Sequence, residues 1–252
     1  MIEELRKGRL KLKLAFKEFG APNPVKNAVL IHGTGARAEM WSPQIELLVN
    51  AGWYCLVPDL RGHGESAEPG EQNDLKSHMT DILQTLADCN LTYPAVFVGH
   101  SLGSIISLEL AAAKPEMVSK ILAVSLPGKV PALTVSAFRL FMGFPYRAIK
   151  GTFVHRSLGW RERVLLDTNY HSLNQVVQNF ADLDYVSALP PVMCPVHFAV
   201  GRLDPVAPAI HVETMHKKLP ASTLEIIEWA GHNCMDSQPA AFNRWFMSKM
   251  DS

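Results

Sequence analysis

Several things are scarce in this sequence, and each scarcity removes a class of function. The cysteines number four, at Cys55, Cys89, Cys194 and Cys234, with no CxxC spacing among them. Neither a zinc module nor a disulfide framework follows from that pattern, and buried reduced thiols are the expectation. No charge of one sign prevails, because 24 Lys and Arg balance 24 Asp and Glu. A neutral chain gives no electrostatic reason to expect nucleic acid or an acidic polymer as partner. No uncharged apolar run reaches the about 18 residues a transmembrane helix needs. Charges occupy the first residues, Met1 to Gly8, where a secretion signal would need an apolar core, so the expected location is the cytoplasm. The phosphate-loop pattern G-x-x-x-x-G-K-[ST] and the dinucleotide pattern G-x-G-x-x-G are both missing. The ten histidines include no pair at the helical i, i+4 spacing of a zinc site. Neither metal nor cofactor is expected, and monomer and dimer both stay open.

What is present reads as a soluble globular α/β protein. The 252 residues are 48% hydrophobic and 19% charged, a profile that excludes a disordered chain. Residues 9–19 alternate apolar and basic, as a half-exposed strand near a sheet edge would. Short apolar runs at 28–31, 54–58, 95–98, 120–125, 195–200 and 223–229 fit strands, the first three buried on both faces of a parallel sheet. Helix-like segments fall near 42–50, 74–89, 102–113, 208–218 and 238–249. Strand and helix alternate, which argues for βαβ units. The alternation breaks over 128–190, a stretch best read as an insertion over the carboxyl edge of the sheet, where ligands bind in such folds.

The most informative pentapeptide is Gly99-His100-Ser101-Leu102-Gly103. It follows the run Ala95–Val98 and opens an apolar helix, so G-x-S-x-G lies between strand and helix. Ser101 at that sharp turn would project its hydroxyl as a nucleophile. The flanking glycines would let strand and helix approach without Cβ clashes. His100 is expected to turn away from Ser101 and not to serve as its base.

A serine hydroxyl needs a base, and the base an acid to hold it. His232, in Ala-Gly-His-Asn after the last strand-like run, is the candidate base; the other histidines read as structural or surface residues. Asp204, in Gly-Arg-Leu-Asp-Pro after the run 195–200, is the candidate acid, and Asp184 and Asp236 remain alternatives. A position after the run 120–125 fails, because no Asp or Glu occurs from 117 to 161. The turn Val29-Leu-Ile-His-Gly-Thr-Gly35 could supply the Thr34 N–H, beside the Leu102 N–H, as the two donors of an oxyanion hole.

These pieces, with Asp59-Leu-Arg-Gly-His-Gly-Glu-Ser66, resemble the α/β-hydrolase superfamily in its small esterase-like branch. The resemblance implies a single domain over 1–252 with an eight-stranded, mostly parallel sheet, Ser101, Asp204 and His232 as triad, and a lid at 128–190. It implies that Asp59 to Ser66 is a supporting turn. The serine at the elbow sets the chain apart from members with aspartate there, the haloalkane dehalogenases and epoxide hydrolases. The expected activity is hydrolysis of a small or medium carboxylic ester through an acyl-enzyme. Alternatives are another acyl bond (thioester, lactone, amide or C–C), a perhydrolase side activity, or a slow-turnover receptor on the same fold.

The inserted stretch bears on substrate. Phe138, Phe141, Met142 and Phe144 could line an apolar pocket for the ester. Lys129, Arg139, Arg147, Lys150, Arg156 and Arg161 add six cations, either a solvated face or an attraction for an anionic substrate.

Overall fold

A computed structural model describes residues 13–252, apart from 24, 67, 69–71, 131, 144–146 and 182. Among the described residues, seven strands form one sheet: β1 (Phe16–Phe19), β2 (Asn27–Ile31), β3 (Tyr54–Pro58), β4 (Ala95–His100), β5 (Val118–Val124), β6 (Val196–Gly201) and β7 (Ser222–Ile227). Their spatial order is β1-β3-β2-β4-β5-β6-β7. Only β1 runs antiparallel, against β3; every other pairing is parallel. Among the described residues the sheet thus has seven strands, where the resemblance implies eight over the whole chain. The half-exposed strand expected over 9–19 at a sheet edge is there as β1, over Phe16–Phe19.

The interior strands are largely buried. Every residue of β2, β3, β4 and β6 is buried, so their side chains alternate between two apolar layers, as strands covered on both faces require. Val29, Ile31, Phe97 and Phe198 point into one layer. Ala28, Leu30, Val98 and Ala199 point into the other.

Helices cover both layers. The first is closed by α2 (Leu75–Ala87), α3 (Leu102–Ala113) and α8 (Ala209–Lys218), through residues such as Ile82, Ile106 and Met215. The second is closed by α1 (Ser42–Asn50) and α10 (Pro239–Met250), through Leu48, Phe242 and Phe246. Asp74 caps α2, its carboxylate accepting from the Ser77 N–H at 2.8 Å.

Between β5 and β6 the chain leaves the sheet and forms α4 (Ala132–Met142), α5 (Phe153–Ser157), α6 (Trp160–Asp167) and α7 (Tyr170–Asn179). A short helix, α9 (Cys234–Ser237), precedes α10. No described helix is long and apolar enough to cross a membrane.

Candidate active site

The parallel strands deliver their carboxyl ends to one edge, and Ser101, Asp204 and His232 follow strands β4, β6 and β7 there. Ser101 immediately follows β4 with φ 51°, a left-handed conformation that a non-glycine residue adopts only under strain. The two glycines explain how the turn closes. A Cβ on Gly99 would collide with the backbone of Gly103 and Ser104, and one on Gly103 with the backbone of Ile31 and His32. The strand and α3 are therefore in direct backbone contact, as the pentapeptide predicts.

Asp204 and His232 meet. His232 Nδ1 lies 2.9 Å from Asp204 Oδ2 and 3.0 Å from Oδ1. A carboxylate accepts, so Nδ1 carries the proton and, in the neutral ring, Nε2 keeps its lone pair. The Asp204 side chain is fully buried, and Oδ1 also accepts from the N–H groups of Val206 and Ala207 at 2.9 and 2.8 Å. Burial alone would raise its carboxyl pKa. The hydrogen bond and charge of His232, with those two N–H groups, hold it below the usual carboxylate value instead.

The alternative acids are engaged elsewhere. Asp236 pairs with Arg161, and Asp184 with Lys129 at 2.9 Å.

Ser101 and His232 line one cavity of about 340 Å³, together with Thr34, Leu102 and Phe138. Among the described residues no hydrogen bond joins Ser101 to His232. The N–H groups of Thr34 and Leu102 donate no hydrogen bond among the described residues, although both residues line the cavity. Of the apolar side chains nominated for the pocket, Phe138 lines it. Met142 is buried at 2% exposure without lining it. Phe144 lies outside the described residues, as does the side chain of Phe141.

His100 does not turn away from the site. It lines the same cavity, and its ring centroid is 4.9 Å from that of His232. Burial, and then the neighbouring His232 and Arg161, hold it well below the usual histidine pKa, so the ring is neutral. Its Nε2 contacts the His232 carbonyl at 3.0 Å. That oxygen also accepts from Ser125 Oγ at 2.8 Å. Ser125 follows β5 with φ 49°, a second strained serine at a strand end.

Two buried histidines hold the loop that carries Thr34. His32 donates from Nδ1 to the Gly33 carbonyl at 2.8 Å and accepts the Leu60 N–H on Nε2 at 2.9 Å. His63 donates from Nδ1 to the Arg61 carbonyl at 2.9 Å and accepts the Gly35 N–H on Nε2 at 3.0 Å. Each ring must be neutral, with a fixed tautomer, to play both parts. Burial pushes His32 down to about 3 and lowers His63. The segment from Asp59 to Ser66 is thus a support. Asp59 Oδ1 accepts the Ala38 N–H at 2.7 Å, and Ser66 Oγ donates to the Asp59 carbonyl at 2.6 Å.

Among the described residues, no cluster of three His, Cys, Asp or Glu is arranged to hold a metal ion. The arrangement can carry out nucleophilic acyl transfer: a strained serine, an imidazole oriented by a buried carboxylate, and two uncommitted N–H groups share one cavity.

The model of the family described as "Alpha/beta hydrolase family" matches residues 28–245. The chain belongs to that family. It is a hydrolase of the α/β-hydrolase fold. A relative named "Putative carbamate hydrolase RutD", from Cronobacter turicensis, is 25% identical, covering 93% of each chain. Among solved structures, an esterase from Exiguobacterium antarcticum superposes with a TM-score of 0.81 at 22% identity, over 96% of each chain. The enol-lactonase from Burkholderia xenovorans superposes with a TM-score of 0.80 at 18% identity, over 96% of each chain. At such identities the two solved structures share the fold and no more.

Proposed function

We propose that this hydrolase cleaves a small or medium carboxylic ester through an acyl-enzyme on Ser101. The observation that carries the reading is the short contact between His232 Nδ1 and the buried Asp204 carboxylate, at the edge of a cavity that Ser101 also lines. With its Nδ1 proton committed to Asp204, His232 offers Nε2 as general base. Ser101 Oγ gives up its proton to Nε2 and attacks the ester carbonyl. The N–H groups of Thr34 and Leu102 receive the oxyanion. Collapse expels the alcohol, which takes the proton from the imidazolium, and Ser101 is left acylated. Water then attacks, with Nε2 again taking a proton, and the carboxylic acid leaves. Asp204 stays ionised throughout and stabilises the imidazolium.

The helical segment over 128–190 acts in this reading as a lid, because Val135, Phe138, Leu165 and Phe180 from it wall the cavity. The names of the similar proteins, an esterase, an enol-lactonase and a putative carbamate hydrolase, are compatible with this reading. The four cysteines are free thiols, which suits a reducing compartment such as the cytoplasm.

The test is hydrolysis of a short p-nitrophenyl ester by the wild type and Ser101→Ala, beside covalent labelling by a fluorophosphonate. Multiple turnover and labelling that are both lost in Ser101→Ala are expected. Hydrolysis retained by the variant overturns the reading.

A further inference from the structure

We propose that Arg161 forms an anion subsite in the cavity, and that the preferred substrate is an ester whose acyl group ends in a carboxylate. The inference rests on the serine-hydrolase reading and names the substrate class of that site.

The cavity wall is mainly apolar, and Arg161 is its one Lys or Arg among the described residues. The side chain is fixed in orientation. Nε and Nη2 fork onto Asp236 at 2.5 and 3.0 Å, and the guanidinium stands 5.2 Å from the Trp160 ring centre. This fork uses one edge of the guanidinium. Nη1 makes no hydrogen bond among the described residues, which leaves a second edge with donors for an incoming carboxylate. An arginine held in advance loses little rotamer freedom when it binds. The Asp236 carboxylate that holds it is 44% exposed, so water screens its repulsion of a second anion.

The position in sequence points the same way. Arg161 is the second residue of α6, in the first helical turn, where a cation opposes the helix dipole. The Asp236 pair offsets that cost locally, and an anion bound on the free edge would offset it further, because the positive helix end and the guanidinium add their fields. The acidic neighbour Glu162 also lines the cavity, from the start of its own helix. Its Oε2 lies 2.5 Å from where a Cβ on Gly159 would stand, so the carboxylate is folded back on the start of its own helix. The Arg161 charge also reaches into the site, where it disfavours protonation of His100 and His32.

The ligand that fits has an apolar middle and an anionic end. Its ester carbonyl would sit at Ser101, its methylene chain against Phe138 and Leu165, and its carboxylate on the free edge of Arg161. Half-esters of short dicarboxylic acids have that form.

The experiment compares kcat/KM for mono-p-nitrophenyl succinate, glutarate and adipate with neutral isosteres in which isopropyl replaces the carboxylate. The expected result is a preference for the anionic ester at one chain length. In Arg161→Met that anionic-to-neutral ratio falls roughly 10- to 100-fold, the size of one charge-assisted hydrogen bond, and Arg161→Lys falls between. A ratio that never favours the acid, or equal losses for both esters in Arg161→Met, overturns the proposal. Calorimetric titration with glutarate, which needs no turnover, separates this failure from that of the hydrolase reading. Glutarate binding that weakens at least tenfold in Arg161→Met, without ester turnover, sustains the subsite and sinks the ester-cleaving reading. Turnover of neutral esters alone, without glutarate binding, does the reverse.

Discussion

His100 donates a hydrogen bond from Nε2 to the backbone carbonyl of His232 across 3.0 Å. A carbonyl can only accept, so the bond fixes the His100 tautomer. Ser125 Oγ donates to the same oxygen at 2.8 Å. The ends of β4 and β5 therefore clamp the backbone of the proposed base from two sides.

Removal of one arm of the clamp should loosen that base. In Ser125→Ala, kcat for a p-nitrophenyl ester is expected to fall about 3- to 10-fold, from loss of one hydrogen bond of about 1 kcal/mol. KM should change less than kcat, because the hydroxyl acts on His232. Steady-state kinetics with the fluorophosphonate labelling rate checks this; a pure KM effect would contradict it.

Asp204→Asn keeps the shape and loses the carboxylate that orients His232. A drop of about 10³- to 10⁴-fold in kcat is expected, by analogy with other serine triads. Asp236→Asn and Asp184→Asn should each retain far more activity, since those acids bind Arg161 and Lys129. If either proved as damaging as Asp204→Asn, the assignment of the acid would be wrong.

The pH dependence of stability has a definite sign. His32, His63, His78 and His100 are buried and neutral, and burial lowers each below the ordinary value of 6.5, His32 to about 3. Below pH 6.5 the unfolded chain takes up protons that the folded chain refuses, so stability falls as pH falls. Each such group contributes up to about 1.4 kcal/mol per pH unit while it stays neutral in the fold. Stability from these groups is full above pH 6.5 and is lost progressively toward pH 3 in the case of His32. Asp204, held below its ordinary value, acts in the same direction at lower pH. Calorimetric melting should show a Tm that is level between pH 8 and pH 6.5 and falls between pH 6.5 and pH 5; a profile flat throughout would contradict it.

Gly103→Ala tests the close approach at the elbow. Its Cβ would meet backbone atoms of Ile31 and His32, which cannot rotate away. A loss of about 1–3 kcal/mol is expected, which for a chain of this size lowers Tm by about 2–12 °C. Thermal melting checks it.

Much of this was legible in the sequence because the signals were local. The apolar runs state the parallel strands, and Gly99 and Gly103 state the elbow, since nothing larger fits where two backbones touch. The Asp204 and His232 loops follow readable strands. The missed contributors act across long stretches of chain. His63 holds Gly35 from 28 residues away, and Ser125 reaches His232 across 107. No spacing rule encodes such pairs. The place of His100 beside His232 depends on the His232 loop, 132 residues away, which the pentapeptide around Ser101 does not encode. Arg161 counted as one cation among six until its fork to Asp236 gave it a fixed place.

The cavity has two origins. Thr34, His100, Ser101 and His232 reach it from strand ends scattered along the chain, whereas Val130, Phe138, Arg161, Leu165 and Phe180 all come from the one uninterrupted stretch between β5 and β6. The reactive half is woven through the whole fold and resists piecemeal change. The selective half is a single cassette, so a graft with two junctions, one after β5 and one before β6, could retool the enzyme for another substrate.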